Sequence, residues 1–217
     1  MKKCIYFAEN QKKINEASFM TPGFGFTADG LWRGLPLPSQ ELGLLIDDRH
    51  LPNPNGIAAA CRALADWTGL IVLDFERRPA APLAELARAL SGKQVILPPS
   101  YVKMPHAAVL IGPWQGEMDF LRWLSQRRAC YRRVVLDAMP LRVQCFPGGR
   151  RTRWRQKLPE SGYPCPALGC LHRRLSDGSF LFWDSRQTLS ARLAAAGVSA
   201  ILFESDWLRL PAQADAP

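Results

Sequence analysis

Short apolar runs of about five residues alternate with amphipathic stretches along most of the chain, and the alternation becomes regular after the first forty positions. Leu42–Ile46 is the first such run; it ends in Asp47 and Asp48, and a Pro/Asn turn follows. Apolar residues at helical spacing, Ile57, Cys61, Leu64 and Ala65, predict a helix from about Gly56 to Trp67. Leu70–Glu76 reads as a second strand, Pro82–Leu90 as a short helix stopped by Gly92, and Gln94–Leu97 as a third strand broken by Pro98 and Pro99. Ala107–Ile111 is a fourth strand. Glu117–Cys130 is a helix that buries Phe120, Trp123 and Leu124, and Arg133–Leu136 is a fifth strand ending at Asp137.

The two ends of this regular stretch read differently. Cys4–Ala8 is a strand candidate, and Thr21–Pro38 is rich in Gly, Pro and aromatics, with a hairpin expected around Phe24–Trp32. Gly148–Pro166 breaks the rhythm with Gly, Pro and dense basic residues. Leu171–Leu175 and Ser179–Trp183 flank Ser176-Asp177-Gly178 as a β-hairpin. A capping box from Asp184 to Gln187 opens a helix to Ala196, Gly197 stops it, and Ala200–Phe203 is the last strand. Strands alternating with helices predict a parallel sheet covered by helices. No G-x-G-x-x-G or Walker loop follows any strand, which removes the usual sign of a nucleotide-binding open sheet. With six or seven parallel strands, the expectation is an α/β single domain over 1–217, a reduced or distorted (β/α) barrel of the TIM type. It carries an irregular N-terminal entry (1–40) and a basic insertion (148–166).

Composition narrows the partners. Hydrophobic residues make up 47% of the 217 and charged residues 22%, a balance that builds a core and argues against disorder. Seven Trp and ten Phe supply flat surfaces of the kind that grip sugars and bases. The net charge of +9 and a pI near 9.6 favour an anionic partner. The start MKKCIYFAEN lacks the apolar stretch and cleavage site of a secretory signal, and no run approaches the ~20 apolar residues that span a bilayer, so a cytoplasmic protein without membrane partners is expected. Six cysteines suit that compartment as reduced thiols. Cys145, Cys165, Cys170 and His172 are four soft donors, but Cys165 and Cys170 enclose four residues including Pro166, which is no standard zinc knuckle; no metal and no cofactor is expected.

In α/β architectures, chemistry sits beyond the carboxyl ends of the strands. Those positions hold Asp47 and Asp48, Asp74 and Glu76, Tyr101, Trp114 and Gln115, Asp137, and finally Glu204 and Asp206. The sharpest element is Gly69-Leu70-Ile71-Val72-Leu73-Asp74-Phe75-Glu76. Asp74 and Glu76, two apart on a strand, share a face with Cα atoms roughly 6.5–7 Å apart. Two close carboxylates in a partly dry site do not both ionise easily, and the raised pKa of one keeps a general acid protonated near neutral pH.

This segment resembles the signature strand of the chitinase-type, family-18 glycoside hydrolases, D-x-x-D-x-D-x-E. Asp74 and Glu76 match its last two positions, whereas Gly69 and Val72 stand at the earlier acidic ones. The closing stretch is similar too, with Phe182-Trp183-Asp184-Ser185, a helix to Gly197, and Ala200-Ile201-Leu202-Phe203-Glu204, where Phe203 takes a Trp position. The resemblance implies a retaining hydrolase acting on, or a descendant merely binding, an amino-sugar glycan, with Glu76 as general acid and Asp74 as its partner. It implies Phe203 as floor of the sugar site; the strand-end residues Trp114, Tyr101, Asp137, Asp47 and Glu204 are the further substrate contacts expected from their positions. The family's acetamide-holding Tyr has no counterpart on Val109–Trp114.

The basic segment supports a second expectation. Arg150, Arg151, Arg153, Arg155 and Lys157 surround Trp154, a mixture suited to phosphate contacts plus base stacking. The alternative function is therefore a non-catalytic binding protein for an anionic polymer, nucleic acid or anionic glycan, through segment 150–157.

Overall fold

The computed structural model of the chain describes residues 4–7, 18–34, 36–37, 43–75, 80–101 and 107–212. The chain divides into two compact units; the first carries Ser18–Ile111 and Tyr131–Val135, the second Gly112–Cys130 and Leu136–Pro217.

The first unit is built on β1 (Cys4–Phe7), β2 (Ser18–Phe26), β3 (Trp32–Arg33), β4 (Gly43–Asp47), β5 (Ile71–Asp74), β6 (Val95–Leu97) and β7 (Ala108–Ile111). The sheet order is β7-β6-β5-β4-β2-β3, with Cys4–Tyr6 of β1 paired to the start of β2. β2, β4, β5, β6 and β7 run parallel, while β1 and β3 lie antiparallel to β2. Two helices belong to this unit, α1 (Pro54–Ala63) and α2 (Ala81–Ala89). Asn53 caps α1 by accepting the Gly56 amide at 2.8 Å, and Pro54 sits in the first turn, where its missing N–H costs nothing. Leu44, Ile46, Ile71, Leu73, Val95 and Leu97 bury one sheet face against Ile57, Ala60 and Leu64 of the α1 segment and Leu83, Leu86 and Ala87 of α2. By alternation, Leu45, Val72 and Ile96, also buried, point to the other face.

The second unit contains α3 (Phe120–Cys130), α4 (Arg186–Ala196), β14 (Ser199–Phe203), α5 (Glu204–Leu208) and a separate antiparallel sheet. Its strands are β9 (Arg142–Cys145), β10 (Arg151–Arg153), β11 (Tyr163–Cys165), β12 (Cys170–Arg174) and β13 (Phe180–Trp183), in the order β10-β9-β13-β12-β11. Strand β8 (Val134–Asp137) is divided, its first two residues in the first unit and its last two in the second. Leu171, Leu181 and Trp183 bury one face of the antiparallel sheet. The Trp183 ring packs against Gly162, where a Cβ would come within 2.3 Å of it. The α4 cap is Ser185 with Thr188, one residue beyond the Asp184/Gln187 box expected from sequence, and Gly197 closes the helix at φ 57°. The Asp177 turn forms as expected: its carboxylate accepts the Ser179 amide at 2.9 Å, and Gly178 takes φ 81°.

The expected (β/α) barrel is not what forms. The sheet is mixed rather than parallel throughout, and the helices among the described residues are five, of 5 to 11 residues. Between β6 and β7 the described residues hold only a 3-10 turn, Pro99–Tyr101, because consecutive prolines cannot feed an α-helix. After β8 comes the antiparallel sheet instead of a helix. No helix among the described residues is long and apolar enough to cross a membrane.

Candidate functional site

Of the carboxylates expected to form the site, Asp47 and Asp74 are direct register partners at the ends of β4 and β5. Both share a face with Leu45 and Val72, away from α1 and α2. Asp47 is buried and already bound: Arg33 and Arg49 each reach its Oδ2 at 3.3 Å, and the Arg49 amide donates to its Oδ1 at 3.2 Å. Tyr101 is buried in the same unit, edge-on to Phe75 with ring centres 5.4 Å apart, and its hydroxyl accepts the Ala80 amide at 3.4 Å. Burial pushes the Tyr101 phenol up, the Ala80 amide opposes this, and the charge of Asp48 adds to it. Glu76, the expected general acid, lies outside the described residues.

Trp114, Asp137, Phe203 and Glu204 fall in the second unit. Asp137 ends β8 and accepts the Met139 amide at 3.1 Å. Gly112 lies against it at φ 144°; an added Cβ would stand 2.9 Å from the Asp137 Cβ, so only glycine brings the Pro113–Gln115 segment this close. Phe203 ends β14 and caps α5, and Glu204, directly beyond the carboxyl end of that strand, is also the first residue of the helix. Trp114 is buried, its indole donates to the Met118 carbonyl at 3.0 Å, and the Arg192 guanidinium sits 4.6 Å over its ring. Arg192 also forms a bidentate pair with Asp184, both side chains being buried, and Asp184 accepts the Leu141 amide at 2.7 Å. Trp114 thus belongs to a structural network rather than to an open sugar platform.

The feature that sequence reading missed is the exposed face of the antiparallel sheet. Cross-strand partners share a face, and the register places Arg153, Val143, Phe182, His172 and Tyr163 in one row across five strands. Two residues along, Arg151, Cys145, Phe180 and Arg174 make a second row on the same face. The rings touch in sequence: Tyr163 to His172 at 6.1 Å, His172 to Phe182 at 5.9 Å and 23°, His172 to Phe180 at 6.3 Å, and Phe180 to Phe182 at 6.4 Å. His172 is fixed by Nδ1 against the Tyr163 carbonyl at 3.0 Å. Tyr163 at 55% and Phe180 at 41% are the aromatics among the exposed large hydrophobics, and both stand on this face.

Arginines frame the rings. All of β10, Arg-Thr-Arg, is exposed on one edge, and Arg174 closes the second row. Arg150 lies 4.2 Å over the Phe146 ring at the β9–β10 turn. Burial raises the Cys145 thiol while Arg151 beside it lowers it, in keeping with their shared row. Trp154, expected at the centre of the basic patch, is half-buried and donates to the Lys157 carbonyl at 3.3 Å, so it braces the turn instead. Cys165 and Cys170 are cross-strand partners, and among the described residues no three His, Cys, Asp or Glu side chains gather closely enough to hold a metal.

Comparison of the chain with protein-family models, with curated proteins and with solved structures returned no match.

Proposed function

We propose that this chain binds single-stranded nucleic acid on the exposed face of its antiparallel sheet. The observation that carries the reading is the cluster of four neighbouring rings, Tyr163, His172, Phe182 and Phe180, with Arg151 and Arg153 at one edge of the face and Arg174 at the far end of the second row. Bases stack on such rings without sequence preference, each contributing about 1–3 kcal/mol, while arginines at the rim meet the phosphates. A cross-strand aromatic ladder also stabilises a sheet by itself. The arginine frame and the net charge of +9 are what that structural role leaves unexplained.

The glycoside hydrolase reading finds less support. Asp74 is the described member of its acid pair, and the neighbouring Asp47 is held by two arginines, an arrangement that favours an ion-paired strand end over paired acid–base catalysis.

Fluorescence anisotropy with a short labelled oligothymidine over a salt series tests the proposal. If Arg150, Arg151, Arg153 and Arg174 each neutralise one phosphate, log K falls against log salt with a slope of roughly −3, about fifty-fold between 50 and 200 mM. Binding that is indifferent to salt, or an affinity for neutral amino-sugar oligomers in place of the oligonucleotide, would refute it.

A further inference from the structure

We infer that a cleft beside this face, in the second unit, holds a terminal phosphate monoester, with the half-buried Arg142 as its clamp. The inference deepens the nucleic-acid reading, because Arg151 and Arg153 belong both to the cleft and to the sheet face. The cleft has a volume of about 110 Å³ and is lined by Trp114, Met139, Leu141, Arg142, Arg151 and Arg153, among others. That is several times the ~10–15 Å³ that one water needs.

Arg142 is the unusual group. Its Nη2 is buried and has no hydrogen-bond partner among the described residues. A buried donor left unsatisfied is costly, and a charged one more so. The Trp67 and Trp183 indoles are likewise buried without a partner among the described residues, but Arg142 is the charged member of the three and the one that lines this cleft. The adjacent carboxylate does not satisfy it: Asp184 is engaged by Arg192, by the Leu141 amide and by the Thr188 hydroxyl. Burial pulls the Arg142 guanidinium below its ordinary pKa, with Asp206 opposing and Arg153 and Arg209 pulling the same way. An arginine nevertheless stays protonated. The cleft is therefore cationic, with a partly desolvated fork at its wall and two exposed guanidiniums beside it.

The chemistry selects the occupant. A phosphate monoester carries about −1.5 to −2 charges and three acceptor oxygens near neutral pH, enough to meet a bidentate fork and two further arginines at once. A mid-chain phosphodiester has a single charge and two free oxygens, and leaves part of the set unpaired. A strand whose bases lie on the ring row and whose end carries a phosphate satisfies both sites together.

The test uses the full chain. Affinities are measured for oligothymidines bearing a 5′-phosphate, a 3′-phosphate or hydroxyls at both ends, and calorimetry compares adenosine monophosphate with adenosine. A phosphorylated end should bind roughly tenfold to a hundredfold tighter than the hydroxyl strand, the value of one charge-assisted hydrogen bond. The ratio should collapse towards one in Arg142→Met. Arg142→Lys, which keeps the charge and loses the fork, is the second variant should the methionine chain fail to fold, and it too should reduce the ratio. Equal binding of phosphorylated and hydroxyl strands by the natural chain overturns the inference and leaves the sheet-face reading standing. So does a ratio that survives in both variants. If neither strand binds, the sheet-face reading fails; monophosphate binding that disappears in Arg142→Met still supports the cleft, and its absence overturns that as well.

Discussion

Removing the Phe180 ring separates a binding face from a merely stabilising ladder. Phe180 is 41% exposed, sits between Cys145 and Arg174 in its row, and pairs with the neighbouring rings of the face, His172 at 6.3 Å and Phe182 at 6.4 Å. Its loss from the folded state forfeits two aromatic pairs, together about 1–3 kcal/mol, a modest part of the ~5–15 kcal/mol that holds a domain of this kind. If a base stacks on it, Phe180→Ala also removes about 1–3 kcal/mol of binding, so Kd rises by roughly five- to 150-fold. Anisotropy titration with the same oligothymidine at low salt reads this directly, and urea denaturation confirms that the variant is folded. Leu121→Ala is the control: it deletes an equally exposed apolar side chain, but from α3, and should leave Kd alone. A folded Phe180→Ala protein that binds within twofold of the natural chain would refute the stacking argument, whatever the salt dependence.

Two further predictions concern what holds the second unit together. Asp184→Ala and Arg192→Met each strand a buried charge, so each should lower unfolding free energy by about 3–5 kcal/mol, Asp184→Ala the more because it also frees the Leu141 amide; the double variant in urea should cost clearly less than the sum, and additive losses would show that the two do not act as a pair. Burial pushes the Cys170 thiol far up, with Asp184 and Cys165 adding to it, so its folded pKa exceeds its unfolded one. Its contribution is complete below the unfolded value near 8.5 and is lost as pH rises, by up to about 1.4 kcal/mol per pH unit. Cys170→Ala should flatten the decline of unfolding free energy above about pH 8.5, and a slope unchanged by the substitution would count against that assignment.

The regular middle of the chain was legible because each signal there is local. Leu44, Ile46, Ile71 and Leu73 lie where their apolar runs put them, and Gly197 ends a helix by adopting the left-handed conformation that glycine tolerates, whereas α1 starts at Asn53-Pro54, which had read as a turn before a helix from Gly56. The barrel inference failed on long-range facts. Nothing in Cys4–Phe7 or Trp32–Arg33 states that those strands pair antiparallel to β2, since direction is set by the route of the connecting chain. The same limit hid the second sheet. Arg-Thr-Arg and Tyr-Pro-Cys are three-residue edge strands without an apolar alternation of their own, and both become strands only by pairing with a neighbour. Read alone, they are a basic, Pro-rich loop.

The candidate site shows the same division between composition and register. The excess of aromatics and arginines was visible from the start, and the basic cluster at 150–157 was singled out around Trp154, which turns out to brace a turn. The residues that make the face, Tyr163, His172, Phe180 and Phe182, are spread over twenty positions and three strands. A usable signal did exist: in the hairpin around Asp177, His172 and Arg174 alternate with Leu171 and Arg173, and Phe180 and Phe182 with Leu181 and Trp183. One arm therefore predicts two aromatics on the side opposite its buried pair, Leu181 and Trp183. A strand with apolar residues on both faces is expected where both are covered. Here the central strand β13 carries that pattern while Phe180 stays 41% exposed, so the described residues leave part of the second apolar face uncovered. On the proposed function, this partly uncovered cluster of rings edged by arginines, in a chain of net charge +9, is where a partner bringing flat rings and negative charge together would lie.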